Sequence, residues 1–169
     1  MGGKAKIISE KAFISSLERV TNPMHKALFC VLFGTGVRVG ELVRKLSKED
    51  IELTDNGHIK LQVETEKHRK RPLRVVYIPP SRDFIIRPIL FWMEHCPTDI
   101  LFTLSRQRAW KLTRKFFETK THSFRHTDAT RSGKRGFNIW EMKQRYGWAD
   151  IKSSEAYVYA SAEDSIKKL

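Results

Sequence analysis

Two cysteines, Cys30 and Cys96, are all the thiol that this 169-residue chain carries. They build neither a disulfide framework nor a zinc-finger spacing, which fits a reducing compartment. His95 beside Cys96 has metal-type ligands, but without a second pair it reads as ordinary packing. No apolar run nears the roughly 20 residues of a membrane-crossing helix, and the opening "MGGKAKIIS" lacks the apolar stretch of a secretory signal. Internal repeats, low-complexity tracts and long linkers are missing as well. Acidic side chains are scarce: 19 Asp and Glu stand against 32 Lys and Arg, a formal net charge of +13. That excess favours an extended polyanion, because each neutralised phosphate releases counterions. Structural RNA and anionic membrane surfaces would attract the same charge, so it narrows the partner class only. The expected setting is cytoplasmic and nucleic-acid-associated.

Hydrophobic residues make up 40% of the chain, enough for a real core in a single domain. Ser9 caps a helix with Phe13, Leu17 and Val20 at helical spacing. Asn22-Pro23 opens a mostly apolar helix that ends at Gly34 and Gly36, and "VRVGELVRKL" leaves that turn as a short helix. Alternation and β-branched residues predict a small antiparallel sheet over residues 50–78, with turns at Asn56-Gly57 and at the basic "EKHRKRP". After Pro79-Pro80 comes a helix bent at Pro88. A basic amphipathic helix follows, with Trp110, Leu112, Phe116 and Phe117 as its inner residues. The segment "HSFRHTDATRSGKRG" forms a further helix closed by Gly133 and Gly136, and Asn138 caps "IWEMKQRYG". The fold class is α+β, mainly α-helical, with one small antiparallel β-sheet.

The chemistry concentrates at three places. Residues 122–136 pack two histidines and four cations, with almost none of the apolar face that a core helix carries. His122 and Arg125, three apart, share a helix face. An imidazole beside a guanidinium suits one phosphate, since arginine supplies planar permanent donors while histidine can bond or shuttle a proton. Arg38 follows the glycine turn directly, with Glu41 three residues on to brace it. Tyr157 stands nine residues after Trp148.

These residues stand in an order that closely resembles the catalytic domain of the tyrosine recombinases, the phage integrase family. The family's first box matches Thr35-Gly36-Val37-Arg38 with Glu41, Leu42 and Leu46. Its second matches His122, Phe124, Arg125, His126, Thr127 and Thr130, and its third Tyr146-Gly147-Trp148 followed by Tyr157. The resemblance covers about residues 10–160. It implies the DNA breaking–rejoining fold for residues 9–169, with residues 1–8 a lead or linker. It also implies that a separate N-terminal DNA-clamping domain is lacking from this chain.

By resemblance, Arg38 and Arg125 clamp the scissile phosphate, and His122 acts as acid or base between them. Trp148 stands where most members have a second histidine; an indole N–H can donate a hydrogen bond but cannot shuttle a proton. Proton transfer then falls to His122 and the family's lysine, which lies in the hairpin turn. That turn holds Lys67 and Lys70, and Lys67, at the end of the strand, is the preferred candidate. Glu41 and His126 are supporting residues. Tyr157 is the implied nucleophile, and Tyr159, two residues on, cannot point the same way. The implied reaction yields a 3′-phosphotyrosine and a free 5′-hydroxyl, followed by strand transfer. It needs no cofactor and no metal.

Double-stranded DNA is the expected partner. Arg69, Lys70 and Arg71 would reach it from the hairpin, and Arg106, Arg108, Lys111, Arg114 and Lys115 from the basic helix. A homotetramer assembled on DNA through the full-length protein is the implied working form, with the tail after Tyr157 packing on a neighbouring protomer. A type IB topoisomerase-like nick-and-reseal enzyme shares this chemistry. An idle DNA-binding protein on the same scaffold is the alternative from another class. A structural RNA binder would explain the charge and none of the motifs.

Overall fold

The computed structural model describes residues 6–66 and 69–158. The helix starts expected at Ser9, Asn22 and Asn138 are present, because each rests on local capping chemistry. Ser9 accepts a hydrogen bond from the N–H of Ala12 at the head of α1, Glu10–Glu18. Asn22 does the same for His25 at the head of α2, Pro23–Thr35, where Pro23 needs no donor. Every α2 residue from Ala27 to Thr35 is buried, so this apolar helix is the centre of the core.

Around α2 pack α4, Asp83–His95, and α6, His122–Lys134. Phe13 of α1 stacks on Phe33 of α2, with ring centroids 3.8 Å apart. Phe117 meets Phe13, Phe29 and Phe124 in the same aromatic cluster. Phe117 belongs to α5, Arg106–Phe117, which buries Ala109, Leu112, Thr113 and Phe117 at a period of three to four. Trp110 falls one position off that stripe and lies on the surface, against the sequence expectation; Phe116 is partly buried against the core.

The sheet is a three-stranded antiparallel meander of β1, Ile51–Leu53, β2, Ile59–Glu64, and β3, Leu73–Ile78. Ile59 pairs with Ile78 and Leu61 with Val76, and all four face the helices. The same parity carries Arg74 inward and leaves Leu73, Val75 and Tyr77 outside. The hairpin between β2 and β3 holds Lys67 and His68, outside the described residues.

One sequence expectation about α6 changes. Gly133 does not end the helix but lies buried within it, and Gly136, at φ +86°, follows the true end. The helix α6 turns a largely polar face inward. It buries Ser123, Phe124, Arg125, Thr127, Asp128, Ala129, Ser132 and Gly133, mostly polar groups whose partners lie on other elements. Residues 152–158 form one more helical turn pair, and its chain runs close over Gly133. A Cβ placed there would stand 2.5 Å from the Tyr157 carbonyl oxygen. Gly133→Ala is therefore expected to cost about 1–3 kcal/mol of unfolding free energy from overpacking. Hydrogen exchange should accelerate over residues 152–158 while α1 and α2 keep their protection.

Candidate active site

The site begins at a glycine. Gly36 takes φ +64° as the C-cap of α2, and a side chain there would press on Tyr146 at 2.8 Å. Two residues later Arg38 caps α3, Val39–Leu42. Glu41 accepts from the Arg38 N–H at 2.8 Å and from its Nη1 at 3.1 Å, the brace expected from the sequence. The same carboxylate, 2% exposed, also takes both Nη atoms of Arg74 at 3.1 and 2.7 Å and the backbone N–H of Glu66. Burial pushes the Glu41 carboxyl up, but Arg74 and Arg38 outweigh it and hold the group below its ordinary range. Arg74 is fixed in turn by Thr65 Oγ1 and the Arg145 carbonyl.

Arg125, three residues into α6 and 2% exposed, faces this pair. It donates from Nη1 to the Gly36 carbonyl at 3.0 Å and from Nη2 to the Tyr146 carbonyl. Its guanidinium lies 5.1 Å from the centroid of Tyr146 and 5.5 Å from that of Trp148. Burial pulls it down to about 9, with repulsion from Arg38 and Arg74 and attraction from Glu41 acting besides. It is still a cation at neutral pH.

Tyr146 ends α7, Ile139–Tyr146, fully buried. Its hydroxyl donates to Asp128 Oδ2 at 2.6 Å and lies 2.9 Å from Ser132 Oγ, while Arg145 closes on the same carboxylate at 3.0 Å. Burial and Asp128 push the Tyr146 phenol far up, so it stays protonated. The left-handed Gly147 then turns the chain, at φ +58°, and sets Trp148 over the site. Trp148 stacks on Tyr157 with centroids 5.6 Å apart and planes 10° from parallel. The half-buried Tyr157 hydroxyl lies 2.9 Å from His126 Nδ1. Burial raises the Tyr157 phenol and the Arg125 charge opposes that rise.

Arg38, Glu41, Arg125, His126, Trp148 and Tyr157 thus gather in one place from segments far apart in the chain. His122, exposed, opens the same face of α6. Lys67 and Tyr159 lie outside the described residues; Lys70 is exposed in the hairpin with Arg69 and Arg71. Arg71 reaches Glu64 at 3.5 Å, and Arg106 pairs with Glu66. Through that second pair the hairpin touches the start of α5, whose Arg108, Lys111, Arg114 and Lys115 are all exposed. His95 bonds to the Phe91 carbonyl and Cys96 caps α4, and among the described residues no group of three or more His, Cys, Asp or Glu could hold a metal.

Sequence reading passed over Arg74, Asp128 and Arg145, and took Tyr146 only as the opening of the third box. One signal was available for Asp128, the single carboxylate in the basic run 122–136. Arg74 carried a weaker one, a charge in a strand where either parity could face inward.

The sequence pattern of the phage integrase family matches residues 10–164. The tyrosine recombinase XerD of Staphylococcus saprophyticus is 28% identical over 91% of this chain and 56% of its own, so the chain spans about half that relative's length. Among solved structures, the XerH site-specific recombinase bound to its difH substrate before cleavage superposes with a TM-score of 0.74. That match has 17% identity and covers 90% of this chain and 50% of XerH. The catalytic domain of bacteriophage HP1 integrase gives 0.66 at 17% identity, over 97% of this chain and 95% of that one. The fold is thus that of the recombinase catalytic domains.

Proposed function

The chain belongs to the phage integrase family, and on that premise we propose that it is the catalytic domain of a site-specific DNA recombinase. The observation that carries the reading is the stack in which Trp148 lies between the Arg125 guanidinium and the Tyr157 ring, with the Arg125 charge felt by both Arg38 and the Tyr157 hydroxyl. Tyr157 attacks a phosphodiester in line, the Oη–P bond forms and the P–O5′ bond breaks. A 3′-phosphotyrosine and a 5′-hydroxyl result, and a second 5′-hydroxyl reverses the step on a new strand without ATP. Supplying a phenolate at pH 7 costs about 4 kcal/mol for an ordinary tyrosine, and burial adds to that here. Charge developing on the phosphate is where Arg38 and Arg125 offset the cost. His122 hydrogen-bonds the same phosphate, the Trp148 indole N–H donates to a nonbridging oxygen, and Lys67 protonates the departing O5′.

DNA is the partner in this reading, as it is for XerH in its complex with difH. Arg69, Lys70, Arg71, Arg106, Arg108, Lys111, Arg114 and Lys115 follow the phosphates beside the cut. Residues 9–169 act as the catalytic unit of a longer protein that works as a tetramer on DNA in the cytoplasm. The test is a nicked duplex from the ends of the parent element, which traps the covalent adduct. Wild type should give a protein–DNA band stable to denaturant, which Tyr159→Phe keeps and Tyr157→Phe abolishes. Loss with Tyr159→Phe instead would move the nucleophile by two residues, and no band from wild type would overturn the reading.

A further inference from the structure

The nucleophile's hydroxyl is already engaged. His126 Nδ1 lies 2.9 Å from Tyr157 Oη, at a centroid separation of 5.5 Å with the rings tilted by 60°. We propose that His126 is the proton acceptor for Tyr157, and so a catalytic residue rather than a supporting one. The inference rests on the recombinase reading above, since it concerns the same hydroxyl.

Three features of the site aim this contact at chemistry. Trp148 lies flat on Tyr157, so the ring has little freedom to rotate the hydroxyl elsewhere. Tyr157 sits in the field of Arg125, and Arg38, Glu41 and Arg74 set the field at Arg125. The hydroxyl therefore lies within reach of the cationic cluster. The third feature is what Trp148 cannot do. An indole has no site for a proton, so the aromatic group stacked on the nucleophile cannot deprotonate it, and the neighbouring imidazole can. Helix geometry makes this arrangement natural. Arg125 and His126 are adjacent on α6, one turning to the phosphate pocket and the other to the segment 152–158 that Gly133 admits.

The proton balance closes without further reactants. With the ring proton on Nε2, Nδ1 accepts from the phenol. As Oη bonds to phosphorus the proton passes to Nδ1, and the departing O5′ takes its own proton from the general acid. In religation the imidazolium returns the proton to the phenolate as the Oη–P bond breaks, and the incoming 5′-hydroxyl gives its proton back to the deprotonated general acid as the P–O5′ bond forms. One residue thus serves both directions at one atom.

The decisive variant is His126→Asn, whose amide sits at the position of Nδ1 and keeps a hydrogen bond but cannot hold a proton. Single-turnover adduct formation on the nicked duplex is expected to slow by about a hundredfold or more, with DNA affinity unchanged. The residual rate should climb about tenfold per pH unit from 7 to 9, as hydroxide takes over the deprotonation, more steeply than for wild type. Religation of a preformed adduct should fall by a similar factor. A 5′-bridging phosphorothiolate, whose leaving sulfur needs no proton, should rescue Lys67→Ala and fail to rescue His126→Asn. His126→Gln provides a second variant should the asparagine disturb folding, as read by thermal melting. Wild-type rates and a wild-type pH profile in either folded variant would overturn the inference alone. A wild-type chain that forms no adduct would instead overturn the recombinase reading beneath it.

Discussion

Arg125→Ala is expected to lower the rate of covalent adduct formation by about a thousandfold or more, and Arg125→Lys to recover little of it. The guanidinium spends Nη1 and Nη2 on the carbonyls of Gly36 and Tyr146. Those bonds fix its plane and leave the rest of the planar group for a phosphate. An ammonium is a point charge that cannot hold both carbonyls and a nonbridging oxygen in one geometry. Burial adds a second handicap. It brings even the arginine down to about 9, and a lysine in the same place starts lower and loses part of its charge near neutral pH. Stability should respond far less than rate, because burial and the charges of Arg38 and Arg74 already oppose the cation. Single-turnover cleavage beside thermal melting separates the two effects. A loss below about tenfold for Arg125→Ala would remove this residue from the transition state.

What the sequence made legible was local. Ser9, Asn22 and Asn138 announced their helices because a cap is satisfied within three residues. Alternation located the strands for the same reason. Trp110 was misplaced since its helix offers several large side chains, and only the period of Ala109, Leu112, Thr113 and Phe117 separates the inner ones. The inner face of α6 was hidden for a deeper reason. Its own periodicity shows no apolar stripe because polar groups with distant partners fill the inner face. Arg125 binds a carbonyl 89 positions away, and Asp128 meets Arg145 and Tyr146 from the next helix. No window along one helix contains such pairs. Burying them is tolerable only because the Asp128 carboxylate and its arginine and tyrosine partners satisfy one another. Gly133 follows the same logic, for its lack of a side chain answers to Tyr157 and not to a helix end. His126 was read as a support because the segment that it meets is 31 residues on.

Glu41→Ala carries the largest expected loss of stability, about 3–5 kcal/mol, since it leaves the buried Arg74 and its neighbour Arg38 without their counter-charge. Glu41→Gln keeps the shape and tests the charge alone. The sign of the pH effect follows from the folded carboxyl lying below its ordinary value. A depressed group contributes stability that is fully present above its unfolded value near about 4.3 and is lost as pH falls through the folded value. Wild type should therefore weaken in acid below about pH 4, whereas Glu41→Gln starts weaker at pH 7 and loses less over that window. Urea unfolding at pH 7, 5 and 3 reads both slopes, and equal slopes would mean that the carboxylate charge is not what holds the arginines. Adduct formation should fall with either variant even where the fold survives. The one carboxylate aims Arg38, anchors Arg74 in the sheet and receives the N–H of Glu66, the last described residue before Lys67. Releasing it would free Arg38, Arg74 and the start of the hairpin, where the proposed general acid Lys67 follows Glu66, from their shared anchor.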